Sequence, residues 1–295
     1  MKIDIDTFFK KLDEYFQKGE LDKVEPYLTQ TLEMAKEEED YAAYIAVGNE
    51  MIGFYRSVSM FRQAFDIAED VLLLMEELQL ERSEHFATTL LNTATAYRAA
   101  GKAQQAYQYY QQALQIYQGL LPEGDYRFAG LYNNMSILLE QMDENEEAAS
   151  LLEKALAIVK NLTDSRAEQA VTLTNLALLY FKLDKEKEAG AALKEALQIF
   201  EEEGNGEEMD AHYSAALAGA GEAYYRMGDY ESSLASYEKA LAEVEKHFGK
   251  NQSYGVLCEN CAAVCSSMKD EKKAEEYRKT AQNIYEKISR ANSGL

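Results

Sequence analysis

The sequence predicts an all-α solenoid of seven antiparallel helix-turn-helix repeats stacked into a superhelix. Three observations predict it: a motif that recurs about every 42 residues, helical periodicity on both sides of each copy, and only 2 prolines in 295 residues. A fixed period in this range is typical of stacked supersecondary units. Proline interrupts helix interiors, so its scarcity agrees with an almost entirely helical chain.

The recurring motif consists of a turn residue, a small residue five positions later, and a second small residue seven positions after that. Its clearest copy runs from Gly101 through Ala106 to Ala113. The seven turn residues are Gly19, Ser59, Gly101, Asp143, Asp184, Gly228 and Lys269. Small residues are expected where two antiparallel helices approach closely. Each turn residue is therefore predicted to separate a first helix, called helix A, from a second, called helix B.

The repeats are predicted to form a single array over residues 1–295. Their approximate ranges are 4–37, 41–79, 83–119, 125–161, 165–203, 208–248 and 252–290. In the third repeat, one helical stripe runs from Leu90 to Tyr97 and another from Ala106 to Tyr117. The first and last repeats deviate, with Val24 at a small position and Arg278 in place of an aromatic residue. Such deviations are typical of terminal repeats with solvated outer faces.

Composition and charge narrow the possible functions. The net charge of −22 disfavours nucleic acid and acidic membranes, which attract lysine and arginine. No stretch approaches the length of an apolar membrane span, and the first residues lack the basic and apolar segments of an export signal. Three cysteines without such a signal fit a reducing compartment. We expect a soluble cytoplasmic protein that binds neither nucleic acid nor membranes.

The repeat resembles the tetratricopeptide repeat (TPR) family, in its 42-residue form similar to kinesin light chains. Helix A carries a small residue followed by an aromatic one, as in Ala94 with Tyr97 and Ala177 with Tyr180. Helix B carries both small residues of the motif, and in several repeats the second is an alanine followed by leucine, as in Ala113-Leu114. The resemblance implies a right-handed superhelix whose A helices line a concave face that binds a partner protein or peptide.

Two motifs suggest chemistry but fit the repeat better as packing. Cys258, Cys261 and Cys265 have a spacing found in metal and iron-sulfur sites. In the repeat frame all three fall in core positions of helix A, so we predict buried free thiols. Gly221 lies in a glycine-rich stretch that lacks the strand and lysine of a phosphate loop, and it occupies the small position of helix A. We therefore expect no metal, no cofactor and no enzymatic activity.

One periodic polar feature is left unexplained by the core. Asn92, Asn134, Asn175 and Asn260 occupy the same position of helix A, fourteen residues before the small residue of helix B, and are called here the asparagine column. Asparagine is a poor helix former, but its amide both donates and accepts hydrogen bonds. Two compatible interpretations remain open: the amides fix the stacking of neighbouring repeats, or they clamp the backbone of a bound peptide.

The candidate peptide-binding residues on this face combine the column with nearby basic and aromatic side chains. They are Arg56, Asn92, Arg98, Asn134, Asn175, Lys182, Tyr225, Arg226 and Asn260. Basic and acidic residues nearly balance on the face, so the net charge does not predict a basic ligand. Two arginines one repeat apart, Arg56 and Arg98, are suited to receive a carboxylate through paired hydrogen bonds.

The sequence thus predicts a scaffold, either a monomer or a weak homodimer, that binds a protein or peptide ligand. One alternative is a peptide-responsive bacterial regulator of the quorum-sensing TPR type. The repeat pattern begins by residue 8, which argues against the additional N-terminal domain expected of such a regulator. A self-associating structural scaffold is the other alternative.

Overall fold

The computed structural model describes residues 3–163, 165–203 and 210–293. The predicted sixth repeat begins at residue 208, and residues 208 and 209 lie outside this description. Fourteen helices and no strands are found in the described part of the chain. They are α1 (Ile5–Gln17), α2 (Leu21–Glu37), α3 (Tyr41–Ser57), α4 (Phe61–Glu77), α5 (Glu84–Ala99), α6 (Ala103–Leu120), α7 (Tyr126–Gln141), α8 (Asn145–Val159), α9 (Arg166–Lys182), α10 (Glu186–Glu203), α11 (Asp210–Arg226), α12 (Tyr230–Phe248), α13 (Gln252–Ser267) and α14 (Glu271–Ser293). The predicted all-α fold of helical hairpins is confirmed.

The chain divides into two compact units, Met1–Met142 with α1 to α7 and Asp143–Leu295 with α8 to α14. In the first unit the A helices α3 and α5 contact each other and their own B helices, α4 and α6. In the second unit α9 and α11 contact each other in the same way, and each packs against its own B helix. That the seven repeats form one continuous array remains a prediction.

The small residues of the motif are buried in the structure. All seven residues at the first small position have 0% exposure: Val24, Ala64, Ala106, Ala148, Ala189, Ser233 and Ala274. Residues at the second small position, from Thr31 to Ala281, are also buried. Because each side chain contacts closely packed neighbours, larger residues would separate the helices.

The turn residues of the motif share one backbone conformation. All seven have a positive φ, from 55° at Asp184 to 77° at Gly228. The third turn shows the hydrogen bonding that results: Gly101 N donates to Arg98 O at 3.0 Å, and Lys102 N donates to Tyr97 O at 2.9 Å. A left-handed residue with these bonds satisfies the last carbonyls of a helix and reverses the chain. The motif therefore begins with the residue that ends helix A.

Short polar side chains mark where several A helices begin. Asp40, Ser83 and Asn251 each accept a hydrogen bond from a backbone N–H in the first turn of α3, α5 and α13. These bonds satisfy amides that have no partner within the helix. None of the described helices is both long enough and apolar enough to span a membrane.

Candidate binding face of the A helices

The predicted site residues lie on the A helices of both compact units. The first unit holds Arg56 on α3, Asn92 and Arg98 on α5, and Asn134 on α7, whereas the second holds Asn175 and Lys182 on α9, Tyr225 and Arg226 on α11, and Asn260 on α13. Lys182 and Arg226 are exposed, and the others are partly buried. The site is therefore described below as two separate groups.

In the first unit, Asn92 is hydrogen-bonded to the preceding repeat. Its Nδ2 donates to Asn49 Oδ1 at 2.8 Å. Asn49 Nδ2 in turn donates to Ile45 O at 2.9 Å and to Thr89 Oγ1 at 3.0 Å. Thr89 is completely buried. The amides thus join α3 to α5, which supports the stacking interpretation for Asn92 and leaves its Oδ1 available to a ligand.

The other asparagines of the column have different environments. Asn134 Nδ2 donates to Gly130 O, one turn earlier in its own helix, at 2.9 Å. Asn175 is partly buried on α9, and Asn260 is partly buried on α13. Within the described residues, the Asn260 side chain makes no hydrogen bond. The column is therefore not a continuous chain of side-chain hydrogen bonds.

Arg56 and Arg98 occupy equivalent positions, three residues before the turn residues Ser59 and Gly101. Within the described part of the chain, neither guanidinium forms an ion pair, and Arg98 Nε is shielded from solvent without an acceptor. Five other arginines do pair with carboxylates: Arg62, Arg127, Arg166, Arg226 and Arg278. Exposed Arg82 forms no ion pair either, but Arg56 and Arg98 are partly buried, which is notable in a chain with 52 acidic and 30 basic residues.

Glu50 lies on α3, at the position that the asparagine column occupies in other repeats. Burial raises the pKa of its carboxyl, and the nearby carboxylate of Asp13 raises it further. Both effects disfavour the ionised form. The face of the first unit thus presents a partly buried acid on the same helix as Arg56.

In the second unit, Arg226 connects α11 to α9. Its guanidinium forms an ion pair with Glu222 at 2.9 Å, donates to Phe181 O at 3.1 Å, and lies 5.5 Å from the centre of the Phe181 ring. Tyr225 Oη lies 3.1 Å from Ser267 Oγ on α13. Both candidate binding residues therefore also hold neighbouring A helices together.

The three cysteines are buried core residues, as predicted. Cys258, Cys261 and Cys265 are free thiols with at most 1% exposure. Burial raises the pKa of Cys258 to about 11 and that of Cys261 to about 12. No group of three potential metal-binding side chains occurs among the described residues. The thiols thus pack as small apolar groups and are poor nucleophiles in the folded protein.

The comparison with family models identifies the repeat. One tetratricopeptide repeat model matches residues 127–202 and 212–287, more than half of the chain, and a second matches residues 86–125. The chain belongs to the tetratricopeptide repeat family. The comparison with curated proteins found no significant match.

Several solved structures share the TPR fold at low sequence identity. The apo form of RapI is 15% identical, with a TM-score of 0.67, and covers 95% of this chain and 77% of its own. The apo quorum sensor NprR from B. thuringiensis is 13% identical, with a TM-score of 0.62 and coverage of 95% and 86%. BtubC (BKLC) from P. vanneervenii is 20% identical, with a TM-score of 0.58 and coverage of 84% and 92%.

Sequence reasoning missed Asn49, the partner of Asn92. The repeat frame places Glu50 in the asparagine column, and Asn49 lies one residue earlier. Only the rotation of α3 against α5 brings the two amides together. One sequence signal points to Asn49. Asn49 and Asn133 each lie one residue before the column position, which is held by Glu50 and Asn134.

Proposed function

We propose that this TPR protein is a scaffold that binds a partner protein or peptide along the polar face of its A helices. The observation that carries the proposal is Arg98, whose Nε is shielded from solvent and has no acceptor within the described chain. A buried N–H without an acceptor costs about 1–3 kcal/mol. The guanidinium forms no ion pair within the described chain, so a carboxylate or carbonyl of a ligand can bind its terminal N–H groups, and Arg56 at the equivalent place on α3 would add a second donor.

The asparagine column supports the same proposal through its acceptors. Asn92 Nδ2 and Asn134 Nδ2 bond within the protein. Their Oδ1 atoms can each accept an N–H from an extended peptide, whose backbone offers donors at regular intervals. We propose that Asn175, Lys182, Tyr225, Arg226 and Asn260 form the part of the face that lies in the second unit.

We also propose where this protein acts, its oligomeric state and its lack of catalysis. We propose a cytoplasmic protein, a monomer or weak homodimer, without catalytic activity of its own. The acidic composition supports a partner other than nucleic acid or a membrane surface. Light scattering distinguishes this scaffold from a self-associating one, because the latter would form large assemblies at micromolar concentration.

Quantitative affinity purification tests the proposal. We would compare the wild type with an Asn92→Ala, Asn134→Ala, Asn175→Ala variant and with an Arg56→Gln, Arg98→Gln variant. A Gln111→Ala, Gln115→Ala variant changes exposed residues of the B helix α6 and serves as the control. The first two variants are expected to lose specific partners that the control keeps. Equal recovery by all of them, at equal thermal stability, would contradict the proposal.

A second candidate function is a peptide-responsive regulator. Its support is the TPR fold of RapI and of the quorum sensor NprR, each of which covers 95% of this chain. Such a regulator changes conformation when a short peptide binds. Small-angle scattering with and without the recovered peptide would separate the two candidates, since a passive scaffold keeps its dimensions.

A further inference from the structure

A cavity of about 330 Å³ lies between α4, α5 and α6 in the first unit. Buried Phe86 and Leu90 contribute to its lining, together with Leu72 and Leu73 from α4. Glu69 and Glu76, both exposed, also line it. We call this region the α4/α6 seam.

Seams between consecutive B helices in the second unit are bridged by lysine-glutamate pairs. Lys160 Nζ, at the end of α8, lies 2.7 Å from Glu195 Oε1 on α10. Glu201 and Lys239 lie 3.7 Å apart between α10 and α12. These pairs use the positions twelve and six residues after the first small residues of successive repeats.

The bridge between α12 and α14 uses different positions. Lys273 Nζ lies 2.9 Å from Glu238 Oε1, and Tyr277 Oη donates to the same oxygen at 2.7 Å. Lys273 immediately precedes the first small residue of its repeat, and Glu238 follows the small residue of the preceding repeat by five positions. Three seams are thus closed by the protein's own lysines.

The α4/α6 seam lacks both kinds of bridge. Glu76 is at the position equivalent to Glu201, but the position equivalent to Lys239 holds Gln112. Glu69 stands where Glu238 does, but Gln105 replaces Lys273. Within the described residues neither carboxylate forms an ion pair. The two glutamates line the cavity, and the lysines that pair with their counterparts in the second unit are glutamines here.

Leu73 is a second departure at the same seam. Its side chain is 51% exposed and contributes to the cavity lining. The other six repeats have polar or small residues at this position: Glu33, Gln115, Ala157, Gln198, Ala242 and Asn283. A large exposed apolar residue beside an open cavity and unpaired carboxylates favours a ligand with both apolar and positive groups.

We propose that the α4/α6 seam binds a basic, apolar segment of a partner protein. A leucine or phenylalanine side chain of the segment enters the cavity beside Leu73, and flanking lysines or arginines pair with Glu69 and Glu76. The partner thereby supplies the cations that the protein itself supplies at the three bridged seams of the second unit. This site is independent of the A-helix face.

Fluorescence anisotropy with a defined probe tests the site. The probe is a labelled Lys-Lys-Leu-Phe-Lys-Lys peptide, and the same peptide with glutamate in place of lysine is its charge control. Glu69→Gln combined with Glu76→Gln is expected to weaken binding at least fivefold. The matched control, Glu146→Gln with Glu147→Gln, removes two exposed charges of α8 and should change binding less than twofold.

Closing the seam gives a sharper test that does not depend on removing charge. Gln112→Lys is expected to pair with Glu76, as Lys239 does with Glu201, and to weaken binding about tenfold without loss of thermal stability. Arg56→Gln with Arg98→Gln should leave probe binding unchanged, which separates this site from the A-helix face. A photoreactive probe is expected to cross-link to α4 or α6. Unaltered binding to the Gln112→Lys variant, or cross-links only to residues that do not line the cavity, would overturn the proposal.

Discussion

Asn92 Nδ2 donates a 2.8 Å hydrogen bond to Asn49 Oδ1, and this bond joins the A helices of two successive repeats. Asn49 also donates to Ile45 O and to buried Thr89. Asn49 therefore makes more contacts than Asn92, although only Asn92 belongs to the periodic column. The bond gives the stacking interpretation a specific atomic basis that can be measured.

Asn92→Ala is expected to lower the free energy of unfolding by about 1 kcal/mol, because it leaves Asn49 Oδ1 without its donor. Asn49→Ala should cost more, since it also removes the bond to Thr89. A double-mutant cycle should give a coupling of at least about 0.5 kcal/mol. Asn134→Ala is the control, because that amide bonds only to its own helix, and it should be neutral or slightly stabilising. Additive effects of the Asn49 and Asn92 substitutions would contradict a stacking role.

The non-glycine turn residues should be strained relative to glycine. Ser59 and Lys269 have φ of 61° and 64°. The left-handed conformation costs about 1 kcal/mol or more for residues with a Cβ. Ser59→Gly and Lys269→Gly are therefore expected to raise the melting temperature, whereas Gly101→Ala should lower it.

Open space around Gly101 makes this a conformational test. A Cβ at Gly101 would meet nothing within 4 Å, and the same holds for Gly119, which lies inside α6. Gly119→Ala should stabilise the protein, because alanine is the better helix former. If the two alanine substitutions had the same sign, backbone conformation would not explain the turn motif.

Close helix packing in the sixth repeat predicts a different response at Gly221. A Cβ there would lie 2.8 Å from the ring of Tyr237, which is itself buried. Gly221→Ala is expected to cost about 1–3 kcal/mol as the ring is displaced. Gly190→Ala in α10, where a Cβ meets nothing within 4 Å, is the matched control and should be neutral or stabilising. Thermal melting of both variants measures the difference.

The fold was predictable because the same packing positions recur in every repeat. Much of the site was not, because the hydrogen-bond partners of its side chains differ from repeat to repeat. Ala106 and its counterparts are small for one physical reason, and Cys261 falls in a core position for the same reason. Asn49 lies one residue before the column position. The repeat alignment that identifies Asn92 therefore does not identify Asn49 as its partner. Arg226 looked like a ligand-binding residue, but its contacts with Phe181 depend on the rotation of α11 against α9.

The buried thiols should react slowly in the folded protein. With the pKa of Cys258 raised to about 11 and that of Cys261 to about 12, almost no thiolate exists at pH 8. We expect iodoacetamide to label them in denaturant but hardly at all under native conditions, as mass spectrometry would show. Rapid native labelling of Cys261 would place it outside the core.

Substitution at Cys261 distinguishes packing from metal binding. Cys261→Ala should cost about 1 kcal/mol for the lost apolar volume. Cys261→Ser should lower the free energy of unfolding further, because it buries a hydroxyl in a core position without a hydrogen-bond partner. A stoichiometric metal ion that is lost from the alanine variant, detected by elemental analysis of the purified protein, would contradict the core assignment.

Glu50 predicts a pH-dependent contribution to stability. Its pKa is raised in the folded protein by burial and by Asp13, so the ionised carboxylate opposes folding at neutral pH. Glu50→Gln should therefore raise the free energy of unfolding at pH 7. As the pH falls through the raised pKa, the wild-type carboxyl takes up a proton in the folded state first, and the advantage of the variant shrinks. Denaturation at pH 7, 5.5 and 4 measures this trend, with the exposed Glu33→Gln of α2 as the control for losing one negative charge. A variant that is less stable than the wild type at pH 7 would show that the Glu50 carboxylate has a stabilising partner.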